Sequence, residues 1–305
     1  MATTTLVTTI LTFTAIVAAG MVLRTAGVLK REDARPINAV IIYAGLPALI
    51  FNAVHAAQLR ADLLGVVAVA WVVFGAMLLL AWLASRIMRL PRQLAGGFIV
   101  ATALGNTGFI GYPITQALLG QARLPEAIFY DVFGTVVAFV LIGLLIAQRF
   151  GEAEKARVNP IRELLTFPAV GALVLALLLK PVGVPEVVSN GLALLGNMVA
   201  PLIMLSVGLS LRVRTMARTA VPLAVLAVLR LLVAPAIALG VGSVVVGAGA
   251  PLRVAVLEAG MPAMMLTLVA GERFGLDSDF IASAIFVTTA ASAIALPLVQ
   301  VLAFR

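Results

Sequence analysis

Two short stretches decide how this chain reads: Gly105-Asn106-Thr107-Gly108-Phe109-Ile110-Gly111-Tyr112-Pro113 and Glu258-Ala259-Gly260-Met261-Pro262. Each places polar groups and a Gly-x-Pro step inside an otherwise apolar span. Proline removes a backbone donor and lipid supplies none in return, so such a break is tolerated at bilayer depth only where it faces protein or a cavity. The two prolines lie 149 residues apart in a chain of 305. Paired interrupted spans at corresponding positions of two halves point to the substrate site of a secondary transporter.

The surrounding composition is that of a membrane protein. Hydrophobic residues make up 63% and charged residues 11%, against about 45–50% and about 25% in soluble domains. The mean hydropathy is +1.16. A net charge of +8 raises the question of nucleic acid, but the basic residues sit in short interhelical loops rather than on one amphipathic face, so no nucleic-acid partner is expected. There is no cysteine and a single histidine, which removes disulfides, thiolate metal sites and Cys-His chemistry. Gly105-x-x-Gly108-x-x-Gly111 lacks the preceding strand and following lysine of a phosphate loop. No enzyme, cofactor or metal site is expected. The N-terminus carries no basic n-region, so the first apolar run is read as a retained span.

A span-length window predicts ten helices at about 5–23, 36–54, 62–85, 93–119, 125–148, 162–180, 185–211, 217–240, 251–272 and 279–303. With the N-terminus outside, the cytoplasmic loops hold fifteen basic residues: Arg24, Lys30, Arg31, Arg35, Arg86, Arg89, Arg92, Arg149, Lys155, Arg157, Arg162, Arg212, Arg214, Arg218 and Arg273. The outer side holds Arg60, Arg123, Lys180, Arg253 and Arg305, and Arg230 lies within a span. This asymmetry predicts an integral membrane protein with both termini on the outer side; the membrane is expected to be a bacterial inner (plasma) membrane.

Five helices per half place the second half upside down relative to the first. Weak internal similarity agrees: Leu46-Pro47-Ala48-Leu49-Ile50 answers Ala200-Pro201-Leu202-Ile203-Met204, and the fifth and tenth spans both begin near an acid, Glu126 and Asp279. The expected fold is an all-α membrane protein of two inverted five-helix repeats, residues 1–155 and 156–305, with broken helices 4 and 9.

The run Asn106-Thr107-x-x-x-Gly111-x-Pro113, followed by Gln116-Ala117-x-x-Gly120, resembles the fourth span of the auxin efflux carrier family. Met261-Pro262 through Glu272-Arg273-Phe274, then Asp279 and Ala295-Leu296-Pro297, is similar to that family's ninth and tenth spans. The resemblance covers essentially the whole chain in span count and order. It implies that helices 4 and 9 cross at their prolines within a mobile transport domain of helices 3–5 and 8–10. Helices 1, 2, 6 and 7 would form a scaffold that also makes a homodimer, with transport by an elevator-type movement. The fold plan is related to that of bile-acid sodium symporters. Two departures from the plant members, the short loop from Phe150 to Ile161 and Ala263 after Pro262, point to a prokaryotic-type carrier of another organic anion. A sodium-coupled bile-acid-type symporter and a non-transporting receptor of the same fold are the alternatives.

The crossing itself favours an anion. Half-helices starting near Pro113 and Pro262 would aim their positive N-terminal ends at one midplane point, where a carboxylate would sit. The expected substrate-binding residues are Asn106, Thr107, Gly108, Gly111, Pro113, Gly260, Met261, Pro262 and, from the scaffold, Asn197. Asn106 and Thr107 can also be read as interhelical hydrogen-bond partners. Asp131, Glu258 and Arg230 are the coupling candidates. Asp131 reads either as a proton carrier or as an acid paired with Arg123, and Glu258 either as a coupling acid or as the partner of Arg230. Asn38 and Tyr43 are weighed as path lining, His55 as a lone surface histidine, and Met264 and Met265 as packing residues.

Overall fold

The computed structural model describes residues 2–57, 62–152, 159–210 and 219–304. Arg60, Lys155, Arg157, Arg212, Arg214, Arg218 and Arg305 of the charge count lie outside the described residues, as does the boundary between the two halves at 155.

Among the described residues helices follow one another: α1 (Ala2–Thr25), α2 (Ala34–Ala56), α3 (Asp62–Ile87), α4 (Arg92–Ala103), α5 (Tyr112–Leu119) and α6 (Gln121–Phe150). A short turn of helix at Pro160–Leu165 then leads to α7 (Pro168–Leu178), α8 (Glu186–Leu209) and α9 (Ala220–Val245). The chain ends with α10 (Ala250–Ala259), α11 (Leu266–Phe274) and α12 (Ser278–Ala303). Six of these, α2, α3, α6, α8, α9 and α12, are individually long and apolar enough to cross a bilayer. The helices α4, α5, α10 and α11 are each about half that length, because the two polar stretches interrupt them.

Local chemistry fixes the joints. Gly275 closes α11 in the left-handed region at φ 74°, a conformation that costs glycine little. The next helix opens at once, with the Asp277 carboxylate accepting from the Phe280 N–H at 2.9 Å. At the end of α2, Lys180 donates to the carbonyls of Val54, at 2.9 Å, His55, at 3.0 Å, and Ala57, a cation placed on a helix C-terminus.

Packing separates the helices by neighbourhood. α1 lies along α8, and α2 packs against α7 and α8. α3 touches α4, α6, α9 and α10, while α12 meets α4 and α9. The α1 and α8 backbones approach closely at Gly20 and Gly208, where a Cβ on Gly208 would fall on the Val17 carbonyl. Small residues drive such contacts where lipid offers no hydrophobic gain.

Gly208→Val therefore pries α8 from α1 and lowers stability by about 1–3 kcal/mol, the usual cost of overpacking. Gly240→Ala, at an exposed helical site with open space around it, leaves the thermal midpoint in detergent unchanged or raised.

Candidate functional site

The two interruptions meet. α4 stops at Ala103 because Leu104 turns extended, at φ −111° and ψ 120°. Gly105 then pairs antiparallel with Ala263. The Asn106 N–H donates to the Pro262 carbonyl at 2.7 Å, and the Met264 N–H donates to the Leu104 carbonyl at 3.0 Å. The Ala263 N–H donates to Thr288 Oγ1 on α12 at 3.0 Å. Backbone groups released by the broken helices thus find partners inside the protein, as a low-dielectric surrounding demands.

The position of the first break corrects the expectation. It lies at 104–106, ahead of the Gly111-Tyr112-Pro113 step, and Pro113 sits within the first turn of α5, where a missing donor is harmless. Between them residues 107–111 form a wide turn: the N–H groups of Ile110 and Gly111 share the Asn106 carbonyl, both at 3.1 Å. The physical reason is that the pairing uses non-helical residues, which at the first break are Leu104 to Asn106, whereas Pro113 already lies within a helical turn. The second break runs from Gly260 to Met265 and contains Met261 and Pro262, while Glu258 remains helical in α10.

The wide turn aims two hydroxyls at one acid. Thr107 Oγ1 donates to Asp131 Oδ1 at 2.5 Å, and the Tyr112 hydroxyl donates to Asp131 Oδ2 at 2.6 Å. Residues five apart do not share a face of a regular α-helix, so the wide turn is what brings both to Asp131. Asp131 is buried on α6. Its carboxylate lies against Gly108, where a Cβ would stand 2.8 Å from Oδ2. Arg123, the alternative partner, instead pairs with Glu126 at 3.0 Å.

A second acid repeats the arrangement. Glu258, fully buried, accepts from Thr115 Oγ1 at 2.8 Å, and its Oε2 has no hydrogen-bond partner. A Cβ on Gly111 would collide with this carboxylate. Gly108 and Gly111 are thus glycines because each faces an acid at close range. The expected Glu258 and Arg230 pair is not formed. Arg230 Nη1 donates to the carbonyls of Thr102, at 3.2 Å, and Ala103, at 3.1 Å, and Nη2 donates to Ala259. The C-terminal carbonyls of α4 and α10 take the guanidinium because a broken helix leaves them unpaired.

Beside the crossing, Asn106 and Asp131 border a cavity of about 20 Å³ whose far wall is Leu46 and Ile50 of α2 with Phe167 and Ala169 at the start of α7. That volume holds about one water. Asn106 is 3% exposed, and its Nδ2 has no hydrogen-bond partner, an exception among buried polar groups. Met264 lines the same cavity. Asn197 is not brought there and is exposed near the middle of α8. Asn38 accepts from Ser206 Oγ at 2.6 Å, and Tyr43 is 72% exposed. His55 stacks on Phe51 and lies 3.0 Å from the carbonyls of Leu179 and Val182, so it joins α2 to the link after α7 and is not a free surface group. Tyr112, Thr115 and Thr288 escaped sequence reasoning. The run of hydroxyls at 107, 112 and 115 beside buried acids was the available signal for the first two.

Known proteins resemble this chain over nearly its whole length. A family model described as membrane transport protein matches residues 5–300. An uncharacterized transporter of Methanothermobacter thermautotrophicus is 35% identical over 297 residues, covering 95% of this chain and 96% of that protein. An uncharacterized transporter of Methanocaldococcus jannaschii is 32% identical over 281 residues, covering 89% of this chain and 90% of that protein.

Thr115→Val leaves Glu258 with neither oxygen bonded and destabilises the protein by about 1–3 kcal/mol, the cost of stranding a buried acceptor. Thr115→Ser, which keeps the hydroxyl, retains most of the wild-type midpoint in the same thermal unfolding measurement.

Proposed function

We propose, from the premise that this chain belongs to the membrane transport protein family, the auxin efflux carrier family of the sequence resemblance, that it carries a small organic anion across the plasma membrane. It is a transporter rather than an enzyme, as are its relatives. The observation that carries the anion is the unpartnered Asn106 amide beside the crossing. Asn106 Nδ2 is a donor held ready in a buried site. The wide turn that follows it begins a helix whose first N–H groups have no intrahelical acceptor. Donors plus a positive helix end favour a carboxylate.

In this proposal the chain has ten spans in two inverted repeats, both termini outside. Helices α3 to α6 and α9 to α12 form the mobile transport domain, and α1, α2, α7 and α8 form the scaffold and its homodimer contact. The packing neighbourhoods support that division, since α1 pairs with α8 and α2 with α7. So does the cavity, which has Asn106 and Asp131 on one wall and α2 with α7 on the other. As it stands the cavity admits about one water, so a substrate enters beside Asn106 where the cavity widens and rides with one group of helices past the other, an elevator movement. Asp131 couples a proton to this step, because its two hydroxyl donors are Thr107 in the turn that presents the substrate amides and Tyr112 directly after it. Protonation converts one of these contacts from accepting to donating and re-aims the turn.

Uptake of labelled small carboxylates into proteoliposomes tests the proposal, and a protein that binds a carboxylate in thermal-shift assays without moving it is a receptor instead. Asn106→Ala weakens binding of the identified substrate by about 1–2 kcal/mol, or roughly 5- to 30-fold, with folding intact. Unchanged affinity in a stable variant places the site elsewhere.

Asp131→Asn still binds substrate but flattens the pH dependence of flux. Glu258→Gln, measured across the same pH series, keeps the wild-type profile; the reverse result transfers proton coupling to Glu258.

A further inference from the structure

Arg230 has a property that the transport reading does not use. It sits in another wide turn, Leu229–Val233 of α9, and is 2% exposed. Its guanidinium touches the last two residues of α4, Thr102 and Ala103, and the last residue of α10, Ala259. Among the described residues no carboxylate pairs with it: Glu258 is engaged by Thr115 and Asp131 by Thr107 and Tyr112. A cation is therefore buried with carbonyl oxygens as its hydrogen-bond acceptors and the buried Tyr130 side chain nearby, and no carboxylate against it.

The charges account for this. A helix C-terminus carries the equivalent of about −0.5 elementary charge, so two ends meeting at one point carry about −1. A guanidinium supplies +1 and offers a planar fork of donors that reaches acceptors on two helices at once. In broken-helix carriers, C-terminal ends and unwound carbonyls of this kind are where a sodium ion or proton is held. Here the arginine occupies them. Gly105 makes room for it, since a Cβ there would stand 3.2 Å from Nη2.

We infer that Arg230 is the built-in counter-cation of the crossing, a positioning residue that fixes both half-helix C-termini and lets the site accept its anion without a co-bound sodium ion. The inference names the coupling class of the proposed carrier and rests on that reading only for its consequence in transport. Its structural part concerns carbonyls and a cation and is tested without any substrate.

The experiment compares thermal unfolding of the purified full-length protein in sodium chloride and in choline chloride at equal ionic strength. Wild type shows the same midpoint in both. Arg230→Ala has a lowered midpoint that low guanidinium chloride or sodium chloride raises and choline chloride does not, because small cations fill the space facing the stranded carbonyls. Arg230→Lys, which keeps the charge, unfolds at a higher temperature than Arg230→Gln, which keeps donors without it. A wild-type midpoint that rises specifically with sodium overturns the inference, as does an Arg230→Ala protein indifferent to guanidinium and sodium, or Arg230→Gln above Arg230→Lys. Sodium-dependent carboxylate uptake by wild type overturns the inference while leaving the transport reading intact. Absence of any uptake together with cation rescue of Arg230→Ala does the opposite.

Discussion

The structure depends on one backbone pairing. Two helices break at the same place, and the residues between their halves run past each other, with Asn106 donating to Pro262 and Met264 to Leu104. Each unsatisfied amide or carbonyl at bilayer depth costs several kcal/mol. The pairing removes part of that cost without adding a strand, and Thr288 of α12 accepts from the intervening Ala263 N–H. Everything else at the centre of the molecule follows from having four helix ends within one small volume.

Those ends are served differently according to sign. The negative ends of α4 and α10 converge on Arg230. At the positive side, the start of the wide turn is left beside the unpartnered Asn106 amide and the small cavity. Two buried acids are held by hydroxyls rather than by arginine, Asp131 by Thr107 and Tyr112 and Glu258 by Thr115. A charge partition of this kind explains how one guanidinium and two carboxylates coexist without an ion pair among them. It also explains the glycine content of the first broken stretch. Gly105, Gly108 and Gly111 lie respectively against Arg230, Asp131 and Glu258, so the spacing of three reflects three charged neighbours rather than flexibility.

Much of this was legible in the sequence, and what was not has a common cause. Composition and the two Gly-x-Pro steps were enough for an all-helical membrane protein with paired interruptions, and the motifs of the fourth, ninth and tenth spans were enough for the family. Proline, however, reports a missing donor rather than the place where the chain becomes extended, and so the first break was expected several residues late. The partner of Arg230 could not be found from spacing, because its acceptors are backbone carbonyls 127 and 128 residues upstream and 29 downstream. A carboxylate was the natural expectation for a buried arginine, but helix C-termini carry comparable charge and leave no mark in a sequence. Asn197 illustrates the opposite failure: a polar residue in a predicted span that the fold leaves exposed. The wide turn at 107–111 likewise hid the shared role of Thr107 and Tyr112, which a regular helical period keeps apart.

The central claim is that the crossing keeps its negative ends for Arg230 and its positive side for an anion. An experimental structure with a bound small carboxylate tests it most directly. A carboxylate oxygen is expected within about 2.7–3.2 Å of Asn106 Nδ2, between the wide turn and Leu46 and Ile50, with Arg230 still on the carbonyls of Thr102, Ala103 and Ala259. A carboxylate bound to the Arg230 guanidinium, with those carbonyls released, would contradict it.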